Sequence, residues 1–176
     1  TVDGTFRVKA IPPDLLTATA NRLFFIAYDA EDDLELWSSD GTEAGTVRVK
    51  DIRAGSQGSS PSHLTPVGNI LYFDAYDDEH GRELWRSDGT ADGTAMVADL
   101  RPGLPSGLFH WGVTRFGVLG NDVFFFGGTE HGYSLWKSDG TEGGTREVSE
   151  VSPSFAAIGR DTPIVSNLSR LWFVGD

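Results

Sequence analysis

Short runs of apolar residues, separated by turn-forming residues, extend along the whole chain. Three runs begin at an asparagine and continue with aromatic or β-branched residues, at residues 21–25 (NRLFF), 69–73 (NILYF) and 121–125 (NDVFF). A related run, SRLWF, occupies residues 169–173. Apolar runs of this length, bounded by Gly, Asn, Asp or Pro, predict β-strands. Because no stretch has a sustained helical period of apolar positions, the pattern predicts an all-β protein.

A second pattern, Leu-Trp-x-Ser-Asp-Gly-Thr-x-x-Gly-Thr, occurs three times. Its tryptophans are Trp37, Trp85 and Trp136, so the spacing is 48 and then 51 residues. A run that alternates around valine follows each copy, and a further run of this kind lies at residues 6–11. In Ser-Asp-Gly-Thr the Asp carboxylate can cap a turn and Gly can supply a positive φ. The pattern therefore predicts a loop that joins two antiparallel strands.

Each period accommodates four strands, which we call A, B, C and D. In the second period they lie around residues 63–67, 71–76, 83–87 and 94–100. A repeating four-stranded unit of about 40–50 residues is typical of a β-propeller blade. A two-layer sandwich could hold as many short strands, but it would not explain a near-identical hairpin in every period.

The repeated residues resemble the ELWxxDGT repeat proteins, which are mostly bacterial surface or secreted chains. The resemblance covers nearly the whole chain and rests on the three copies of LWxSDGTxxGT. It implies a propeller-like architecture and a secreted or cell-surface location. It implies no particular reaction, because the biochemistry of the family is poorly defined.

We predict a single β-propeller, or a propeller segment, over residues 1–176, with about four blade-like units of ~48 residues. The units are residues 12–52, 53–100, 101–151, and a split unit formed by residues 1–11 and 152–176. Patterns A, B and D occur four times but pattern C only three times. The last unit is therefore incomplete or closed by the N-terminal strand, and an open edge could also cause self-association. The alternative is that the sequence is a window from a longer array.

Charge and composition narrow the classes of partner. The chain carries 26 acidic and 14 Lys or Arg side chains, a net charge of −12. Nucleic acids and anionic membranes would be repelled, which leaves cations, basic proteins and neutral ligands such as sugars. No apolar run reaches the length of a membrane span. The absence of cysteine excludes disulfides, thiolate metal sites and a cysteine nucleophile.

The candidate binding residues lie in two sets of loops. In a propeller the B–C and D–A loops emerge on one face, and loops carried by a rigid scaffold are common binding sites. This face would collect Glu31, Arg53, Glu79, His80, Arg101, Glu130 and His131. Trp111 lies in an insertion outside the repeat, beside Phe109 and His110, and is a candidate partner contact. The alternative for Arg53 and Arg101 is pairing with neighbouring carboxylates, and the alternative for Trp111 is burial.

Metal binding is a weaker possibility at the same loops. Asp29, Asp77 and Asp78 have the oxygen ligands that Ca²⁺ prefers. The sequence favours solvated turns instead, because the third repeat has Gly127-Gly128-Thr129 at this place and the charge does not recur. We therefore predict no required cofactor, with Ca²⁺ as the open alternative.

No catalytic motif is present: there is no GxSxG, Walker loop, HExxH or dinucleotide-binding glycine pattern. We therefore predict a non-enzymatic binding or structural module that presents its loops to a protein or glycan. One alternative is a lectin with repeated sugar sites, in which the repeated tryptophans could serve as platforms rather than as core. A second is a hydrolase with a carboxylate pair, which leaves no sequence signature.

Overall fold

The computed structural model describes residues 7–29, 33–55, 57–103, 106–108, 116–129, 132–149, 165–167 and 170–172. These residues form three four-stranded antiparallel sheets and one two-stranded sheet, each with its strands in chain order. The prediction of an all-β protein is confirmed, since no helix occurs among the described residues. In that part of the chain there is accordingly no helix that could cross a membrane.

Sheet 1 contains β1 (Asp14–Ala18), β2 (Leu23–Tyr28), β3 (Leu34–Ser39) and β4 (Val47–Arg48). Sheet 2 contains β5 (Ser62–Val67), β6 (Ile70–Asp77), β7 (Gly81–Ser87) and β8 (Ala95–Ala98). Sheet 3 contains β9 (Gly117–Leu119), β10 (Asp122–Thr129), β11 (Gly132–Ser138) and β12 (Arg146–Ser149). The two-stranded sheet pairs β13 (Val165–Asn167) with β14 (Arg170–Trp172). The four strands of each larger sheet correspond to predicted strands A to D.

The sheets pack face to face through apolar side chains. One core cluster joins Phe24, Ile26 and Leu36 of sheet 1 to Leu71 and Phe73 of sheet 2, among others. A second cluster joins sheet 2 to sheet 3 in the same way. The first strands of sheets 1 and 2 are in contact, and β13 and β14 both contact β9. Stacked sheets of this kind are what a propeller requires, but the described residues show no closed barrel or ring.

Two of the three repeated tryptophans, Trp85 and Trp136, belong to these interfaces between sheets. Trp85 is only 7% exposed and lies in the cluster between sheets 1 and 2. Trp136 packs against the cluster between sheets 2 and 3. Trp37 is half-buried and stacks on Phe25, with ring centroids 6.3 Å apart. The burial of Trp85 favours the core interpretation at that position, because its ring presents no platform to a sugar.

Candidate functional site: the B–C and D–A loop face

The C–D loops form a self-contained hydrogen-bonded unit that is the same in all three sheets. In sheet 2 the Asp88 carboxylate accepts hydrogen bonds from the backbone N–H of Thr90 (2.9 Å) and from its hydroxyl (2.7 Å). The hydroxyl of Thr90 accepts from the N–H of Gly93 at 3.0 Å, and the Thr94 hydroxyl donates to the Thr90 carbonyl at 2.6 Å. The hydrogen bonds from Thr90 lower the pKa of Asp88. The polar residues of this repeated sequence are therefore engaged in shaping the loop.

Two glycines in each C–D loop are required by geometry. Gly89 has a φ of +91°, a conformation that side chains disfavour, and it lies against Arg22 and Phe24 of the preceding sheet. A Cβ on Gly93 would overlap the Asp88 carboxylate. Since the Asp–Thr bonds and these glycines recur in sheets 1 and 3, the predicted turn chemistry is confirmed. The near-identity of the loop across the repeats has a structural explanation.

The opposite loops, which are the B–C and D–A loops, meet across the boundary between sheets. Arg53 follows β4 in the D–A loop of sheet 1, and its Nε lies 2.8 Å from Oδ1 of Asp78 in the B–C loop of sheet 2. The Arg53 guanidinium also lies over the ring of Tyr76, 4.5 Å from the ring centroid. The structure therefore brings these two sets of loops together. It also gives Arg53 the carboxylate partner that was the alternative to a binding role.

The B–C loop of sheet 2 is a charged turn organised by Asp77. Its Oδ1 accepts hydrogen bonds from the backbone N–H groups of Glu79 (2.9 Å) and His80 (2.6 Å). The His80 ring lies 3.0 Å from the other Asp77 oxygen, and this hydrogen bond raises the pKa of His80. The Glu79 side chain is 85% exposed, and its carboxylate lies 3.9 Å from Nε2 of His80. Glu79 is therefore the most accessible charged group of this turn.

Buried glutamates anchor the D–A loops to the sheets. Glu83, from the Glu-Leu-Trp sequence of sheet 2, is fully buried and accepts hydrogen bonds from the backbone N–H groups of Leu100 and Gly107. Glu35 has the same role in sheet 1, where it accepts from the N–H and hydroxyl of Ser59. Burial raises the pKa of Glu83 to about 7 and also raises that of Glu35. In sheet 3 the equivalent residue is Ser134, which has no carboxylate.

The second D–A loop places Arg101 close to its own backbone. The N–H of Arg101 donates to Oδ1 of Asp99 at 3.0 Å, and its guanidinium approaches the carbonyl of Ser106 at 3.5 Å. Asp99 is near enough to His80 to contribute to the raised pKa of that imidazole. Of the predicted face, Arg53, Glu79, His80 and Arg101 are therefore placed on these loops. Glu31, Trp111, Glu130 and His131 lie outside the described residues.

The three aspartates proposed for Ca²⁺ each have a separate protein partner. Asp29 pairs with Arg48 at 2.9 Å, Asp77 caps its own turn, and Asp78 pairs with Arg53. Within the described ranges, a different group of carboxylates approaches most closely: one oxygen each from Asp33, Glu35 and Asp51, all within 4.8 Å of one another. Arg48 also contacts Asp33 and Asp51. Since Arg48 and backbone N–H groups already compensate this charge, the cluster by itself does not indicate a metal site.

Sheet 2 also contains a buried polar network that the sequence did not suggest. The Asp74 carboxylate is bonded by Nδ1 of His63 (2.5 Å), by the Ser62 hydroxyl (2.8 Å) and by Arg82 (2.6 Å). Burial alone would raise the pKa of Asp74, but His63 and Arg82 hold it at about 2. Ser62 and Asp74 approach the same imidazole nitrogen, whereas a catalytic triad uses both nitrogens. The network is therefore structural in its geometry and does not form a nucleophile.

Comparison with models of known protein families gives no match for this chain, and neither does comparison with curated proteins. The family resemblance therefore rests on the repeated residues themselves, and functional interpretation depends on the geometry of the loops.

Proposed function

We propose that this chain is a non-enzymatic binding module of the propeller type, which presents its B–C and D–A loops to a protein or glycan outside the cell. The stacked sheets form the scaffold and the loop face forms the binding surface. The location and the membership of the ELWxxDGT family are inferred from the repeated sequence alone.

The observation that carries this proposal is the difference in chemistry between the two loop edges. In the C–D loops, the repeated Asp and Thr side chains have partners inside the same loop. On the other edge, the exposed side chains of Asp78 (67%) and Glu79 (85%) lie beside Arg53 and His80. This mixture of accessible acidic and basic groups, held by the rigid turn of Asp77, is suited to polar recognition.

The two alternatives have weaker support. A lectin that uses its repeated tryptophans as platforms is disfavoured by the burial of Trp85, although sugars could still bind at the loop face. For a carboxylate-pair hydrolase, both acids need access to substrate. Glu35, Asp74 and Glu83 are instead buried and hydrogen-bonded within the fold.

A glycan array that includes neutral, amino-sugar and anionic glycans tests the proposal. We expect binding to neutral or cationic glycans, and an array without any signal would contradict a glycan partner. Anionic glycans should be excluded by the net charge of −12. The bound glycans are then incubated with the protein and analysed by mass spectrometry. Cleavage products would replace the binding module by a hydrolase, and selective binding of anionic glycans would contradict the electrostatic argument.

A further inference from the structure

An apolar pocket opens on the face of sheet 1 that points away from sheet 2. It is lined by apolar residues of the segment before β1, by the first two strands of sheet 1 and by its C–D loop, including Val8, Ile11, Leu16, Leu23, Phe25 and Gly41. Leu16 is 58% exposed, whereas its repeat equivalent Leu64 is 9% exposed. Leu23 is 36% exposed, whereas its equivalent Leu71 is fully buried. The pocket is therefore the uncovered counterpart of a surface that is covered in sheet 2.

The repeat shows what fills this space in sheet 2. There the equivalent positions pack against Phe24, Ile26 and Leu36, which are contributed by the second and third strands of the preceding sheet. Phe24 reaches Gly89 of the C–D loop, since a Cβ added to that glycine would lie 3.4 Å from the ring. Among the described residues nothing lies within 4 Å of the equivalent position on Gly41. The pocket consequently has the shape that receives an aromatic residue from a second strand.

The segment before β1 already occupies the position of a fourth strand from such a preceding unit. Lys9 donates from Nζ to the carbonyl of Thr46 at 2.8 Å. Lys50, at the same place in the repeat, donates to the carbonyl of Thr94 at 2.9 Å. The same lysine-to-carbonyl contact thus joins this segment to sheet 1 and the end of sheet 1 to sheet 2. Sheet 1 is therefore built to be covered by a further unit of the same kind.

We propose that the occupant of this pocket is the hairpin β13–β14 of the same chain, with β14 in the place that β2 takes against sheet 2. Trp172 has the repeat position of Phe24. This inference rests on the propeller-type stacking proposed above and names the surfaces that close it.

The pairing register of β13–β14 identifies it as the beginning of such a unit. Val165 pairs with Trp172 and Ser166 with Leu171. The same repeat positions pair in the same register in β1–β2, where Thr17 pairs with Phe24 and Ala18 with Leu23.

The position of the hairpin favours the same chain over a second copy. Both strands of the hairpin contact β9 of sheet 3, so the hairpin follows sheet 3 as β5 and β6 follow sheet 1. The apolar cluster of Phe124, Phe126 and Leu135 lies on the face of sheet 3 that points away from sheet 2, and it is buried. This face is therefore already covered within one chain. A tethered segment has an effective concentration in the millimolar range, which exceeds that of free copies in dilute solution.

Paired cysteines test the contact directly, because the chain has no cysteine of its own. The test protein carries Arg170→Cys and Glu43→Cys, which are joined by a short bismaleimide. The matched control carries the repeat-equivalent pair Arg22→Cys and Ala91→Cys. The control is expected to link because a Cβ on nearby Gly89 would lie 2.5 Å from Cδ of Arg22. Products are identified by intact mass and by peptide mapping at low protein concentration.

We expect a link within one chain for both pairs. A covalent dimer of the test protein would identify a second copy as the occupant and overturn the proposal. A linked control with an unlinked test pair would also overturn it, without affecting the binding module. If the control fails to link as well, the stacked scaffold of the proposed function fails together with this inference.

A single substitution in β14 tests the same contact without introducing cysteines. Trp172→Ala should accelerate hydrogen exchange several-fold in residues 23–25 and 41–46, and leave residues 71–73 and 89–94 unchanged. Equal exchange in the wild type and the variant would contradict occupation of the pocket by β14.

Discussion

The two loop edges of the stacked sheets differ in how their polar side chains are bonded. On the C–D edge, the same Ser, Asp, Gly and Thr residues make the same bonds three times. On the B–C and D–A edge the sequence repeats only in part: Arg53 recurs as Arg101, but Thr129 stands in sheet 3 where sheet 2 has Asp78. Arg53 pairs with Asp78 of the neighbouring sheet rather than within its own loop. Side chains that are bonded inside their own loop therefore serve the fold, whereas exposed charged side chains can acquire a partner.

The largest expected effect concerns the packed sheets that carry both edges. Trp85→Ala removes a buried ring from the cluster between sheets 1 and 2, and should lower the free energy of unfolding by about 3–5 kcal/mol. Denaturant titration followed by circular dichroism measures this loss. Tyr28→Ala, which truncates a ring that is 58% exposed, is the control and should cost far less. A loss below about 0.5 kcal/mol for Trp85→Ala would mean that the ring is not part of the core.

The next effect tests how the D–A loops are anchored. Because the pKa of Glu83 is raised from 4.5 to about 7 in the folded protein, the folded state binds its proton more tightly than the unfolded state. The free energy of unfolding should therefore fall as pH rises from about 4.5 to about 7, by up to about 3 kcal/mol. Unfolding curves over this pH range measure the slope.

Two variants separate this contribution from other titrations. Glu83→Gln should remove most of the slope, whereas Glu79→Gln, on an exposed side chain, should keep it. A Glu83→Gln protein with the wild-type slope would show that the buried carboxyl is not its source.

A smaller effect distinguishes two glycines of the C–D loops. Gly93→Ala places a Cβ against the Asp88 carboxylate, so we expect a loss of about 1–3 kcal/mol. Gly143→Ala is the control, because nothing lies within 4 Å of its added Cβ among the described residues. The first loop already has Ala44 at that repeat position. Equal thermal midpoints for the two variants would contradict the close approach to Asp88.

The smallest effect is expected on the B–C and D–A edge. The Arg53–Asp78 pair is partly exposed, so a double-mutant cycle with Arg53→Ala and Asp78→Ala should give a coupling energy of about 0.2–1 kcal/mol. The coupling should decrease at high salt, since exposed charges are screened. A coupling above about 2 kcal/mol would show that this pair stabilises the fold, and would weaken the distinction between the edges.

The sequence predicts what is local and repeated. The strands, the cap formed by Asp88 and the positive φ of Gly89 all follow from residues within a few positions of one another. Contacts over longer separations could not be read in this way. Glu83 bonds the backbone of Leu100 and Gly107, and backbone N–H groups leave no mark in a sequence.

The candidate site was predictable only as a set of loops. Repeat alignment placed Arg53 and Glu79 on one face, but the partner of Arg53 depends on how two sheets pack. The network of His63, Asp74 and Arg82 occurs in only one repeat, so self-comparison could not single it out.

We propose that recognition belongs to the B–C and D–A edge, whereas the C–D edge serves the fold. The most direct test compares glycan-array binding by two variants, each with two alanine substitutions on one of the edges. Glu79→Ala with His80→Ala changes the first edge, and Glu43→Ala with Asp92→Ala changes exposed positions of the second. We predict that the first variant loses the wild-type signals at an unchanged thermal midpoint and that the second keeps them. Loss of binding by the second variant alone would contradict the account.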